Sequence, residues 1–355
     1  MFKPNFQRTD FLIEMIARIE VARDRILRAP IVPRWEAELR REALVRSAHH
    51  STSIEGNPLS LEEVTDLLAG RDVLAHTRDK QEVLNYAEVL RYIDRHFLGQ
   101  GQPVTEETIL RLHAFVVKDV LPPEEAGQYR HVPVVVGVPA TGEVVYRPPD
   151  WEDVPELVAD LVVWLNGSEA ATLMPVLEAG IAHYELVRIH PFVDGNGRAA
   201  RSLATLILAR RGFDTKRFFA LDEYYNQDRA SYYEALRSVD PQTQDLTEWL
   251  EYFVQGIAVE MVQVERRVQE LGGLYRVEAE VAAEARQISL NPRQIRLLDH
   301  LRQSGSSISN SEYQELFLVS KRTASNDLSE LVAHGLLAVE GAGRATRYRL
   351  AGSDA

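Results

Sequence analysis

The chain has 355 residues, 45% hydrophobic and 26% charged, too long for one ordinary compact core, so two or three globular domains are expected. It has no cysteine, which excludes disulfides and thiolate metal sites, and its formal net charge of −13 argues against the whole chain coating nucleic acid or anionic lipid. No apolar run reaches the ~18 residues that span a bilayer, and MFKPNFQRTD has no apolar signal core, so a cytoplasmic protein without a membrane partner is expected.

Helical periodicity dominates. Thr9 and Asp10 open an amphipathic helix over 10–28, with Phe11, Ile13, Ile16, Ile19 and Ile26 as its apolar face, ended by Pro30 and Pro33. A second helix is expected from about Trp35 to His50, and Ser60-Leu-Glu-Glu63 is a capping box that starts a third. Residues 80–97 and 105–118 read as two more. The pattern changes at 130–147, where β-branched runs flank an Ala140-Thr-Gly142 turn and predict a hairpin. Asp150 is expected to cap a helix over 151–165. The next, 175–189, stops at His190 because Pro191 disfavours helical backbone in its predecessor. Helix resumes through RAARSLATLILARR until Gly212, then at about 228–239 and 245–285.

Residues 292–350 read as three helices and two strands, and they look like a winged helix. A helix-turn-helix runs through 314–317, Leu318-Val319 and 320–326, backed by Leu328, Leu331, Leu336 and Leu337. Strands 337–340 and 346–350, joined by Gly341-Ala-Gly-Arg344, make the wing. Over 288–350 eight Lys and Arg face six acids, so a +2 module rides on a −15 body. Lys321, Arg322 and Arg344 are candidates for DNA phosphate. A protein-docking or homodimer module fits the same pattern, and both readings stay open.

The chemistry concentrates in His190-Pro-Phe-Val-Asp194-Gly-Asn-Gly-Arg198-Ala-Ala-Arg201, a loop feeding a helix N-terminus. Unpaired amides and the helix dipole make such an end an anion site. Gly195 and Gly197 let backbone take special conformations and let phosphate approach, while Asn196 adds an amide donor. Arg198 and Arg201, three apart, can clamp a polyphosphate. Asp194 supplies a hard oxygen for Mg²⁺, and His190 can accept a hydroxyl proton near neutral pH. Singly these are turn, cap and surface residues. Together they are the parts for attack on a nucleotide phosphate.

The string resembles the Fic family motif H-x-F-x-[D/E]-G-N-G-R-x-x-R at every fixed position. The resemblance implies a mainly α fold: a Fic helical core with a β-hairpin flap at 130–147, plus the C-terminal winged helix. Domains are expected at 1–100, 101–287 and 288–355, with the last boundary read near 286–291, where the long helix meets Asn291-Pro292. The resemblance also implies transfer of AMP from ATP, with Mg²⁺, to a Ser, Thr or Tyr hydroxyl of a protein docked on the flap, self-modification included. His190 would be the base and Asp194 the metal ligand; Phe192 would anchor the loop. Gly195, Asn196, Gly197, Arg198, Ala199, Ala200 and Arg201 would bind nucleotide, with Val136, Gly137, Tyr232 and Tyr233 nearby. Where relatives often carry an Asn, this chain has Asp240.

Ser51-Thr-Ser-Ile-Glu55-Gly56 matches the inhibitory motif [S/T]-x-x-x-E-[G/N] known in Fic proteins. By that likeness Glu55 would form a bidentate ion pair with Arg201 and occupy the guanidinium meant for the γ-phosphate. Two alternatives remain open on sequence. One keeps the site but removes AMP or transfers another phosphate-containing group. The other is a DNA-binding regulator whose core only senses nucleotide.

Overall fold

The computed structural model describes residues 2–351 except 30, 32, 139–142, 214–216, 288–289, 305 and 342–345. The hairpin turn at 140–142, Pro30 and Arg344 lie outside the described residues. The chain divides into two compact units, 1–272 and 273–355, so the N-terminal segment shares a unit with the central region.

The first unit is helical. Helix α1 (Asp10–Arg28) starts at Thr9, whose hydroxyl accepts from Leu12 N. Its buried face is Leu12, Met15, Ile19, Ala22 and Ile26, whereas Phe11 and Ile13 are exposed. The expected face is corrected here: spacing from Leu12 holds a single stripe, and Phe11 and Ile13 fall to either side of it. Helix α2 (Pro33–Ile54) runs beyond His50 and takes in Ser51. The Ser60–Glu63 capping box opens α3 (Leu61–Leu68), followed by α4 (Thr77–Phe97) and α5 (Glu106–Val116).

Strands β1 (Val136–Val138) and β2 (Glu143–Tyr146) form the antiparallel hairpin, Val136 opposite Tyr146 and Gly137 opposite Val144. A 3₁₀ turn, Trp151–Asp153, leads into α6 (Val154–Leu165), and Asp150 makes no side-chain cap bond, contrary to expectation. Then come α7 (Ser168–Thr172), α8 (Pro175–Ile189), α9 (Asn196–Arg210), α10 (Leu221–Gln227), α11 (Arg229–Arg237) and α12 (Thr247–Gln287). The short α7 and α10 give no periodic signal long enough to read.

Helices α8 and α9 pack against each other at the centre of the core, where Ala179, Ala182, Ala199, Leu203 and Leu206 are buried. Small residues let the two backbones approach, and burying each large neighbour adds about 1.5–3 kcal/mol. Trp249, on α12, closes this core and donates its indole N–H to Gly180 O (2.8 Å). The loop 190–195 therefore hangs between the two best-buried helices of the chain.

The second unit contains α13 (Pro292–Ser304), α14 (Asn310–Phe317), α15 (Lys321–Ala333) and the antiparallel pair β3 (Leu337–Glu340) and β4 (Arg347–Leu350). Leu297, Leu301, Tyr313, Leu328, Leu331 and Leu337 form its core. Leu318 turns the chain between α14 and α15 in the left-handed region (φ 51°). Asp327 is buried and accepts from Tyr313 (2.9 Å), Arg293 (2.9 Å) and Asn291 (2.8 Å). Among the described residues no helix is long and apolar enough to cross a membrane.

Candidate active site

His190 is the C-cap of α8 and adopts left-handed backbone (φ 51°, ψ 57°), its N–H bonding Leu186 O at 3.1 Å. This turns the chain sharply out of α8 into the motif loop. Its Nδ1 donates to Val187 O (3.3 Å), because a carbonyl can only accept, and that leaves Nε2 as the basic nitrogen. Burial lowers the His190 pKa, against the bond to Val187 O and the field of Glu55, so the imidazole is neutral at pH 7.

The loop is fixed from three sides. Phe192 is buried and stacks on the His113 ring at 3.7 Å. His113 Nε2 donates to Asp194 O (3.0 Å) while its Nδ1 accepts from Gly127 N (3.0 Å), which requires neutral imidazole. Burial pushes the His113 pKa down to about 4, only partly offset by the bond to Asp194. Asn196 clasps Phe192 through both ends of its amide, accepting from Phe192 N and donating to Phe192 O, each at 2.9 Å. The expected role of this side chain as a phosphate donor is therefore corrected: the amide is consumed in pinning the loop. Arg130 ties the loop to the approach of the hairpin, bonding His190 O (2.9 Å) and Pro149 O (2.6 Å). Tyr146 of β2 donates to Arg188 O (2.8 Å), beside His190.

Gly195 has φ 78° and precedes α9, as a left-handed position favours. Gly197 is ordinary helix; a Cβ there would meet the Glu55 carboxylate and displace it from its present place. The first donor inside α9 is Ala199, bonded to Gly195 O (2.9 Å). The amides of Asn196, Gly197 and Arg198 are thus the ones the first turn leaves open to an anion, whereas Ala199 N is taken by Gly195 O and Ala199 and Ala200 are buried in the core.

The two arginines do not form one clamp in this structure. Arg201, with a side chain 2% exposed, donates Nε–H to Ser51 Oγ (2.8 Å) and Nη2–H to Ser51 O (2.9 Å). Nη2 also meets Glu55 Oε1 (2.8 Å), and Asp222 Oδ1 lies 3.3 Å from Nε. The pairing with Glu55 is a single N–H···O contact rather than bidentate, because Ser51 already takes two bonds. Glu55 is 33% exposed and sits at the end of α2, which Gly56 terminates with φ 96°. Burial works against the Arg201 charge, yet Glu55 first and Asp222 later hold its pKa well above the ordinary range.

Arg198, also buried, lies 3.3 Å from Glu82 Oε1 and 3.6 Å from Asp194 Oδ1. Its Nε and Nη1 have no hydrogen-bond partner among the described residues, so this guanidinium is charged, desolvated and under-used. Asp194 accepts from Gly195 N through Oδ1 (2.6 Å) and meets the exposed Arg78 at 3.3 Å through Oδ2. Among the described residues no three His, Cys, Asp or Glu gather as a metal cage. One half-exposed carboxylate fits a Mg²⁺ that arrives on nucleotide phosphates and keeps its own waters, not one caged by protein.

Tyr232 is only 1% exposed, its hydroxyl 3.2 Å from His183 Nε2 and its ring stacked on Tyr225. Of the expected tyrosine pair it therefore presents no ring face, and Tyr233, 40% exposed, is the accessible one. Val136 and Gly137 lie on β1, with a register irregularity between them. Asp240 caps a local turn through Gln242 N and Thr243 N. Sequence reasoning missed Glu82, Arg78, His113 and Asp222, which come from other helices and carry no local spacing rule.

Residues 103–208 match the Fic/DOC family. The protein adenylyltransferase Fic of Nematostella vectensis is 32% identical over 235 residues, covering 64% of this chain and 50% of the relative. The protein adenylyltransferase fic-1 of Caenorhabditis elegans is 36% identical over 176 residues, 49% of this chain and 33% of the relative. The chain thus spans half or less of the length of these curated relatives. Among solved structures, a Fic family protein from Desulfovibrio desulfuricans G20 superposes over 100% of both chains, with TM-score 0.69 and 26% identity. A segment of C. elegans Fic-1 matches 75% of this chain and 73% of its own, with TM-score 0.60 and 28% identity. Loop geometry, helical core and these likenesses agree that the chain carries, at residues 103–208, a domain of the Fic/DOC family.

Proposed function

We propose that this protein transfers AMP from ATP to a hydroxyl of a protein, and that Glu55 restrains the transfer. The observation that carries the reading is the juxtaposition of a neutral, Nδ1-anchored His190 with the open first turn of α9 and two buried arginines. The target hydroxyl attacks the α-phosphorus of ATP as its proton passes to His190 Nε2. The new O–P bond forms as the bond to the β-phosphate oxygen breaks, and pyrophosphate leaves with its electron pair. The amides of Asn196, Gly197 and Arg198 receive phosphate oxygens, and Arg198 and Arg201 balance the charge that develops on them. Mg²⁺, with Asp194 as its protein ligand, would neutralise phosphate charge when bound. The hairpin edge suits an extended target segment, which would add to β1 or β2 by backbone pairing.

In this reading Glu55 holds Arg201 away from the γ-phosphate, and ATP then sits poorly for in-line attack. The decisive experiment uses ATP labelled separately at the α- and γ-phosphates, with the protein alone and with a cell lysate. Label from the α-phosphate should reach protein; label only from the γ-phosphate would overturn AMP transfer.

A second reading concerns residues 288–355, within the C-terminal unit, as a winged helix that binds duplex DNA. Lys321 and Arg322 are exposed in the first turn of α15, beside the polar Ser320, Ser325 and Asn326. Phosphate contact there would suit both side chains. Docking of a protein or a second copy at 292–350 is the competing outcome.

A further inference from the structure

Glu82 lies in the second turn of α4 and is buried, yet it belongs neither to the motif loop nor to the inhibitory segment. Its Oε2 accepts from Asn57 Nδ2 at 3.1 Å. Its Oε1 accepts from Arg78 Nε (3.2 Å) and lies 3.3 Å from Arg198 Nη1, an ion pair without hydrogen-bond geometry. Asn57 stands two residues beyond Glu55 and is itself buried. Its amide also donates to Asp79 O (3.0 Å), its Oδ1 accepts from Leu59 N (3.2 Å), and its N–H closes the end of α2 on Thr52 O (3.1 Å). Arg78 continues the chain of contacts to Asp194.

We propose that Glu82 is a positioning residue that joins two functions of the site: through Asn57 it fixes the helix end bearing Glu55, and through Arg198 and Arg78 it sets the charges of the motif loop. The inference rests on the inhibitory reading of Glu55 given above. The physical case is one of compensation. Arg198 is desolvated, and apart from Glu82 its acidic neighbour is Asp194, which is shared with Arg78. A buried cation with so little opposite charge would shift toward water without Glu82. Asn57, in turn, loses a charge-assisted partner if Glu82 moves, and Glu55 rides on the backbone that Asn57 holds.

Asn57→Ala loosens only the first arm. It should raise AMP transfer about threefold or more in the parent, but less than about twofold on top of Glu55→Gly, because contacts acting through one residue are not additive. Equal gains in both backgrounds, or none in the parent, would overturn the link. Glu82→Gln keeps an acceptor for Asn57 and removes the charge. On the Glu55→Gly background it should lower kcat about tenfold while ATP affinity, measured by calorimetry, does not weaken, since a carboxylate near the phosphates is gone. Parallel loss of kcat, ATP affinity and melting temperature would reduce Glu82 to a structural role and sink the proposal. Hydrogen exchange of amides 52–57 needs no turnover, so it separates this inference from AMP transfer itself. Exchange there should quicken in Asn57→Ala, and unchanged exchange would refute the anchoring even if no AMP moved.

Discussion

In the proposed reaction His190 joins two demands in one side chain: the fold needs its left-handed backbone to leave α8, and proton transfer would need its Nε2 free and neutral. His190→Ala should cut transfer by ~10²–10⁴ while ATP affinity stays within a few-fold, because a base acts on the nucleophile and not on bound phosphates. Label transfer and calorimetry on the same protein check both halves. Since burial lowers its pKa, the base remains unprotonated below the ordinary histidine range of ~6.5. The acidic limb of the pH–rate profile should therefore lie below that range, and a limb above it would point to a different base. Glu55→Gly should raise transfer at least about tenfold, which requires Glu55 to favour the restrained arrangement by more than ~1.4 kcal/mol. An exposed pair gives only ~0–1 kcal/mol, but here Arg201 is fully desolvated. Rates of parent and variant at saturating Mg-ATP decide the matter. The site was legible where residues are contiguous: His190 to Arg201 could be read because their chemistry lies on one loop and one helical turn. What could not be read were partners brought by the fold, such as Ser51 taking two Arg201 bonds and Glu82 facing Arg198.

At the level of elements, the hairpin is tied at its base to the end of α8, where Arg130 and Tyr146 bond backbone carbonyls. Tyr146→Phe removes one hydrogen bond, worth about 1 kcal/mol, from the base of the hairpin. The KM for a protein target should rise several-fold with ATP affinity unchanged; equal loss of both would show that the hairpin is not held independently of the nucleotide site. Helices α1 and α3 could be placed from their opening residues, since Thr9 and Ser60 accept from the first turn, and α5 from its span alone. The buried face of α1 could not, because Phe11 and Ile13 are as apolar as the residues that win, and only packing decides between rival stripes. Helices α7 and α10 escaped because they are shorter than the window in which a period shows.

For the molecule as a whole, two solution properties follow. If the second unit binds DNA, affinity for a generic duplex should fall steeply with salt, and Lys321→Ala with Arg322→Ala should flatten the slope. Absence of duplex binding at low salt would leave protein docking as its role. Stability should also decline in acid through His183, which is fully buried and carries a pKa lowered to about 3 by burial and by the charge of Arg201. The unfolded chain takes that proton near ~6.5. The contribution is therefore complete above this pH and is lost as pH falls toward 3, by up to ~1.4 kcal/mol per unit. Melting temperatures of the parent and His183→Gln across that window should diverge, with the variant flatter. The placement of Ser51 and Glu55 on one helix has a further consequence. In the proposed restraint, the segment that holds Arg201 through Glu55 also seats it through Ser51, so releasing the whole of α2 would remove both contacts at once. A chain lacking residues 1–60 loses both Ser51 bonds to Arg201 together with the Glu55 pair and opens the guanidinium to water, so it should be inert where Glu55→Gly is active. If Glu55 restrains the site, release should therefore require its carboxylate to leave Arg201 while Ser51 stays in place, and loss of the N-terminal segment should not substitute for it.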